Sequence, residues 1–176
     1  MTEARPLDDV QYRADGDRWT LVFVRDLRHA PERVWTALTE PDQLRAWSPY
    51  TADRSLAQPG DATLTMFANA DEEADELPAS VTRAEPPRVL EYTLGTDLLR
   101  WELEPVDGGT RLTLSHTVAG RDWLPKVAAG WQLCLDAAEQ LLDGRPVTPI
   151  RGEDAMQHGW QALHDAYAER MGTAGE

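Results

Sequence analysis

Hydrophobic and polar residues follow two different periods along the chain. From about residue 60 to residue 118, apolar side chains alternate with polar ones, which is the pattern of β-strands. Over residues 122–144, apolar side chains recur at steps of three and four, so they lie on one face of a helix. At 1.5 Å per residue this helix is roughly 30 Å long, enough to cross a small sheet. The two patterns predict a sheet followed by one long amphipathic helix that covers it.

The strand pattern has two short helices near its start. Residues 19–27 predict the first strand, and Pro31 and Pro41 then stand where the first turns of two short helices are expected. Further strands are predicted at 61–68, 79–84, 89–94, 99–104 and 111–118, and the acidic run 71–76 is predicted to be a solvated hairpin loop. The last three strands each have one apolar and one polar face. This indicates an antiparallel sheet that is covered on one side.

The ends of the long helix carry typical signals. Asp122 is expected to cap its first free N–H groups, and Gly144 is expected to end it in a left-handed conformation. Gly130 lies inside the helix, where glycine is disfavoured relative to alanine by about 1 kcal/mol. We interpret Gly130 as allowing the close approach of a neighbouring strand or helix.

The length of the chain suits one domain. It has 176 residues, of which 41% are hydrophobic, enough for a single core. We predict a flexible lead-in over residues 1–18, the domain over 19–144, and a connector with a docked C-terminal helix over 145–176. In this last segment four apolar residues recur at steps of four, three and four, namely Met156, Trp160, Leu163 and Tyr167.

Charge and cysteine content narrow the classes of partner. The net charge of −14 argues against binding to nucleic acid and to anionic membranes. Cys134 is the single cysteine, so an internal disulfide and a multi-cysteine metal site are excluded. The polar start of the chain has no signal-peptide pattern, and no run of about 18 apolar residues exists. A cytoplasmic protein is therefore predicted.

Two polar residues stand in phase with apolar neighbours. His116 shares the apolar face of its strand, where it is either a structural histidine bonded to Tyr92, Trp101 or backbone, a ligand-orienting group, or an acid–base catalyst. Arg25 either points inward, where it could anchor an acidic head group, or lies in solvent. His158 and His164 are six residues apart, which does not match a helical metal pair, so no metal and no cofactor are predicted.

Four segments together resemble a known family. Residues 25–47, 85–93, 99–117 and 128–144 are similar to the SRPBCC proteins of the START-like (Bet v1-like) superfamily, in the Activator of Hsp90 ATPase homologue 1-like group. The resemblance covers roughly residues 19–144. It implies an α+β helix-grip fold, in which a curved antiparallel sheet wraps around the long helix.

The resemblance also implies a cavity between sheet and helix that binds a lipid-like, polyketide-like or other hydrophobic molecule. The expected ligand-binding residues are Trp47, Met66, Tyr92, Trp101, His116, Val127 and Trp131, unless these side chains simply fill the core. A binding protein is the leading hypothesis, and we lean against an enzyme. The alternatives are a cyclase or dehydratase with His116 as the catalytic candidate, and a chaperone-regulating interaction module, although the chaperone-binding N-terminal domain of the namesake has no expected counterpart. A homodimer through Trp160 and Tyr167 is left open.

Overall fold

The computed structural model of the chain describes residues 9–67, 73–147 and 159–171. The elements in chain order are β1 (Asp9–Asp15), β2 (Arg18–Leu27), α1 (Pro31–Thr39), α2 (Pro41–Trp47), β3 (Tyr50–Ala52), β4 (Gly60–Phe67), β5 (Glu73–Glu85), β6 (Val89–Leu94), β7 (Asp97–Val106), β8 (Gly109–Val118), α3 (Leu124–Leu142) and α4 (Trp160–Met171). A one-turn 3-10 helix at Arg121–Trp123 leads into α3. Among the described residues, no helix combines the length and hydrophobicity needed to cross a bilayer.

The eight described strands form one curved antiparallel sheet in the order β1-β2-β8-β7-β6-β5-β4-β3. Helix α3 packs on its inner face, which confirms the predicted α+β helix-grip fold. The register across the centre of the sheet explains the shared core. Leu114 of β8 lies opposite both Phe23 of β2 and Trp101 of β7, and all three are buried. Because side chains alternate between the faces of a strand, this register places the predicted apolar positions against α3.

The sheet begins earlier in the chain than the sequence pattern indicated. Residues 9–15, which we expected in a flexible lead-in, form β1 and pair with β2 over their whole length. Val10 packs against the core, and the ring of Tyr12 lies 6.0 Å from that of Trp19. The seven residues contain three alternating apolar side chains, Val10, Tyr12 and Ala14, which is too short a period-two pattern to predict a strand on its own. Residues 1–8 lie outside the described part of the chain.

The prediction of a hairpin loop over the whole acidic run was wrong. Residues 73–76 of the acidic run belong to β5, because β4 continues to pair there, with Thr65 opposite Glu76 and Phe67 opposite Glu73. A shift of register between Thr65 and Phe67 then changes the alternation. Phe67 is buried as a result, whereas Met66 is only partly buried against the core. Residues 71 and 72 lie outside the described residues.

Helix α3 is buried on two faces, not one. The sheet covers its inner face, and α4 covers its outer face through a second apolar cluster that includes Leu133 and Leu163. Gln132, which the periodicity placed among the polar positions, is only 1% exposed and accepts a hydrogen bond from the Tyr167 hydroxyl. The Tyr167 side chain is fully buried between α3 and α4. Met156 and His158 fall outside the described residues.

Of the two predictions for the ends of α3, the one for the N-terminus was wrong and the one for the C-terminus is correct. Asp122 does not cap the helix, because the 3-10 turn that contains it places Trp123 at the N-cap, with no side-chain hydrogen bond. The C-terminal prediction is confirmed. Gly144 has φ +73°, its N–H donates to Leu141 O at 3.1 Å, and the N–H of Arg145 donates to Gln140 O at 2.9 Å. These paired bonds satisfy carbonyls that the helix end leaves free.

The interpretation of Gly130 was also wrong, which leads to a testable prediction. A Cβ placed on Gly130 would meet nothing within 4 Å, so no close approach requires glycine. We expect Gly130→Ala to raise the free energy of unfolding by about 0.5–1 kcal/mol, because alanine loses less backbone entropy in a helix. Urea unfolding measures the change.

Gly109 supplies the matched control for that substitution. A Cβ there would lie 1.8 Å from the carbonyl oxygen of Leu27, so Gly109→Ala must displace backbone and should destabilise the protein. A Gly130→Ala variant that is no more stable than the unaltered chain would contradict our account.

Candidate functional site

Five aromatic side chains meet between the sheet and α3. We define the aromatic cluster as Trp47, Tyr50, Tyr92, Trp101 and Trp131. All five are buried, and they come from five separate elements, α2, β3, β6, β7 and α3. The chain therefore brings together residues from its first half, its central strands and its long helix at one place in the core.

Trp131 lies at the centre of the aromatic cluster. Its ring centroid is 5.3 Å from that of Trp101 and 6.4 Å from that of Tyr50, with interplanar angles of 87° and 86°. Trp47 adds a tilted contact at 6.4 Å and donates its indole N–H to Ala37 O at 2.8 Å. Edge-to-face pairs of this kind contribute about 0.5–1.5 kcal/mol each beyond the burial of area. Helix α3 is thus held to the sheet by oriented rings as well as by apolar area.

Two buried hydroxyl groups stand inside this apolar surrounding. The phenol groups of Tyr50 and Tyr92 are hydrogen-bonded to each other, and the indole N–H of Trp101 donates to the Tyr92 hydroxyl at 3.3 Å. Burial raises the pKa of Tyr92 to about 12 and raises the pKa of Tyr50 well above its usual value, because the phenolate form would lose its hydration. Both groups therefore remain neutral hydrogen-bonding groups at ordinary pH.

His116 joins the aromatic cluster to the edge of the fold. The indole N–H of Trp131 donates to His116 Nδ1 at 2.9 Å, and Asp97 Oδ2 lies 2.8 Å from His116 Nε2. An indole nitrogen only donates, so Nδ1 is the acceptor and the ring hydrogen is on Nε2, facing the carboxylate. His116 is buried, whereas the Asp97 side chain is 29% exposed and lies 3.7 Å from Arg18 Nη2.

This arrangement limits the chemistry that His116 can perform. A carboxylate orients the imidazole, as in many catalytic sites. However, a general base needs a free ring-nitrogen lone pair within reach of its substrate. The only such lone pair in this tautomer, on Nδ1, already accepts the hydrogen bond from Trp131. The geometry therefore favours an orienting or structural histidine over a catalytic one. Its hydrogen-bond partners, Trp131 and Asp97, are not the ones that the sequence suggested.

Arg25 points inward, but it meets the protein's own carboxylates. Its Nη1 donates to Asp136 Oδ1 at 3.0 Å and to Glu139 Oε1 at 3.3 Å, both on α3. The Arg25 side chain is 8% exposed, and the two carboxylates are 32% and 41% exposed. Of the two alternatives for Arg25, the position in solvent is wrong, because its guanidinium lies against α3. Arg25 does point inward, but it binds two carboxylates of α3 and not the acidic head group of a ligand.

The structure brings together most of the predicted site residues. Trp47, Tyr92, Trp101 and Trp131 belong to the aromatic cluster, and His116 contacts it. Met66 and Val127 are partly buried against the core, with Val127 between the two faces of α3. Among the described residues, no group of three or more His, Cys, Asp or Glu side chains is placed to hold a metal ion.

Sequence reasoning missed two residues of this site. Tyr50 belongs to β3, which has three residues and is too short for a periodic signal. Asp97 falls between the predicted strands 89–94 and 99–104, although it is in phase with Leu99 and Trp101 on β7. Extending the alternation by one step would have placed its carboxylate on the inner face, beside His116.

Comparison with known proteins bears on this fold and site. A sequence profile described as "Activator of Hsp90 ATPase homolog 1-like protein" matches residues 28–143. The chain belongs to this family. The matched segment runs from the end of β2 to the end of α3 and therefore contains the whole aromatic cluster, His116 and Asp97. Strands β1 and β2 and helix α4 lie outside it. A search of curated proteins gives no match.

Several solved structures share the fold. The solution structure of CalU16 from Micromonospora echinospora is 19% identical, with a TM-score of 0.70, and the match covers 99% of this chain and 100% of that one. Protein MLL2253 from Mesorhizobium loti is 26% identical, with a TM-score of 0.61, and the match covers 71% and 97%. An AHSA1-like protein from Aeromonas hydrophila is 19% identical, with a TM-score of 0.61 and coverage of 71% and 92%. The match to CalU16 extends the likeness beyond the family segment to nearly the whole chain.

The buried hydroxyl pair predicts a loss of stability in alkali. Tyr92 keeps its proton up to about pH 12 in the folded chain, but only to about pH 10 once unfolded. Its contribution is thus fully present below pH ~10 and is lost as the pH rises from about 10 towards 12. We expect Tyr92→Phe to flatten the fall of the free energy of unfolding over this window, measured by urea unfolding at several pH values. If the free energy of unfolding fell equally steeply with pH in Tyr92→Phe and in the unaltered chain, the raised pKa of Tyr92 would not be the cause.

The Arg25 ion pairs predict an asymmetric cost of mutation. Arg25→Met should cost no more than about 1.5 kcal/mol, because methionine fills apolar space and the two partly exposed carboxylates regain water. Asp136→Ala combined with Glu139→Ala should cost about 2–4 kcal/mol, because the buried guanidinium then loses both carboxylate partners. Urea unfolding compares the variants, and a larger cost for Arg25→Met would refute this explanation.

Proposed function

We propose that this chain binds an aromatic or otherwise hydrophobic small molecule between the sheet and α3, against the aromatic cluster. One observation carries the proposal, namely that hydrogen-bonding groups converge inside an apolar, aromatic interior. Tyr50 and His116 each contact Trp131, and the Tyr92 hydroxyl is hydrogen-bonded to that of Tyr50. Ligand sites commonly combine apolar and aromatic walls with a few well-placed polar groups.

The energetics of burial support this reading over a core built for stability alone. Each buried hydroxyl or imidazole group loses its hydration and recovers it only through a hydrogen bond of good geometry. Apolar side chains of the same size at positions 92 and 116 would avoid that cost. The helix-grip fold of this family is compatible with small-molecule binding, and Met66 and Val127 stand at the margins of the aromatic cluster as further candidate wall residues.

The other two functions have weaker support. A cyclase or dehydratase would need a free base, and Trp131 occupies the ring nitrogen that His116 would use. Chaperone regulation gives the family its name, but the aromatic cluster is buried and offers a protein partner no contact surface. Binding therefore explains the interior of this chain best.

Two measurements test the proposal. Native mass spectrometry of protein purified from its own host should show a retained small molecule that denaturing conditions release. The uncharged fluorophore N-phenyl-1-naphthylamine should bind saturably and quench tryptophan emission. Trp131→Leu should weaken this binding by about tenfold, which corresponds to about 1.4 kcal/mol.

The chain offers a matched control and an alternative variant. Trp123 is 50% exposed outside the aromatic cluster, so Trp123→Leu should leave the affinity within about twofold. If Trp131→Leu fails to fold, Val127→Phe adds bulk on α3 one turn before Trp131 and should also weaken binding. A folded protein with neither a retained molecule nor saturable binding would overturn the proposal.

A further inference from the structure

A chain of three side chains runs from the start of β7, beside the β6–β7 turn, to the centre of the aromatic cluster. Asp97 contacts His116, and His116 contacts Trp131, with both hydrogen bonds under 3 Å. We propose that Asp97 is a positioning residue, which fixes the orientation of Trp131 through His116 and so shapes the wall of the site. This inference rests on the proposed function for its role in binding, but the coupling itself is a property of these residues alone.

The first step of the argument is the orientation of the imidazole. His116 can accept from Trp131 only when Nδ1 has no hydrogen, which requires the hydrogen on Nε2. The Asp97 carboxylate accepts that hydrogen and makes the opposite tautomer unfavourable, because two acceptors would then face each other. The carboxylate thus selects the one ring state in which Trp131 has an acceptor.

The second step concerns the strength of the bond to Trp131. A carboxylate acceptor on Nε2 increases the electron density of the imidazole, so Nδ1 becomes a better acceptor for the indole N–H. His116 and Trp131 are both buried, and hydrogen bonds polarise one another more strongly where water is excluded. Removal of the Asp97 carboxylate should therefore weaken the hydrogen bond between Trp131 and His116, although Asp97 is not part of that bond.

The third step is the location of Asp97 itself. It begins β7, directly after the turn from β6, and its side chain is partly exposed. Arg18 holds this turn from the far side of β8, since its Nη2 donates to Thr96 O at 2.5 Å and lies 3.7 Å from Asp97 Oδ1. A group at the margin of the fold, anchored from outside, thus sets the position of a ring in the centre of the core.

The test uses hydrogen exchange of the indole N–H groups, followed by NMR in the full-length chain. Asp97→Ala should accelerate exchange of the Trp131 indole at least tenfold relative to that of Trp101, which donates to Tyr92 and not to His116. Asp97→Asn keeps an acceptor for Nε2–H and should restore the ratio to within about threefold. The imidazole nitrogen shifts of His116 in the unaltered chain should be those of the Nε2–H tautomer.

The controls separate positioning from general destabilisation. Glu104→Ala removes an exposed carboxylate from the same strand, away from His116, and should leave the exchange ratio unchanged. The coupling would be overturned if Asp97→Ala accelerated indole N–H exchange equally at Trp131 and Trp101. An Nδ1–H tautomer of His116 in the unaltered chain would also overturn it.

The probe N-phenyl-1-naphthylamine then tests the role in binding. Asp97→Ala should weaken its affinity about fivefold or more, and Asp97→Asn should recover most of the loss. Equal affinity of Asp97→Ala and the unaltered chain, despite a selective change at Trp131, would overturn the role in binding. Absence of saturable binding by the unaltered chain would instead refute the proposed function, and the coupling would be decided by the exchange ratio alone.

Discussion

The contact on which the interior depends is the one between Trp131 and the sheet. One indole side chain makes edge-to-face contacts with Trp101 and Tyr50 and a hydrogen bond to His116, so it fixes both the distance and the rotation of α3 over the sheet. Apolar packing alone tolerates sliding and rotation, because the hydrophobic effect has no direction. A ring with a single donor at one edge does not, since rotation of the helix would separate the N–H from its acceptor. The specificity of the helix-grip arrangement therefore rests on a polar contact within an apolar core.

Two further polar links extend this constraint along the helix. Arg25 joins β2 to Asp136 and Glu139 nearer the C-terminal end of α3, and Gln132 joins the outer face of α3 to Tyr167 of α4. Together with Trp131 they hold the helix at three places and towards two different layers. Buried polar pairs add little net stability, but they penalise every alternative packing in which a partner is lost. The chain thus uses apolar area to stabilise the fold and a few polar pairs to select one register.

The sequence could predict the parts of this fold that repeat. Regular alternation in β7 and β8 and the three-and-four spacing of α3 are properties of many residues, so one exception does not hide them. The parts that it could not predict depend on contacts distant along the chain. Gln132 reads as an exposed residue until α4 covers it, and Met66 turns partly away because of a local shift of register in β4. The partners of His116 come from the first residue of β7, 19 residues earlier, and from a helix 15 residues later, and no local pattern encodes that meeting.

The polar residues on the inner face of the sheet indicate where function lies in this chain. Most inner positions of the sheet obey the rule that buried strand faces are apolar. Asp97, Tyr92 and His116 break that rule on three adjacent strands, and their polar groups all face Trp131 or its immediate neighbours. Polar residues at inner positions are more informative when they lie together than when they are scattered. Stability alone gives no reason for such residues to lie together. A ligand that needs orientation within an apolar site gives such a reason, since a few fixed polar groups set its direction while the surrounding rings supply contact area.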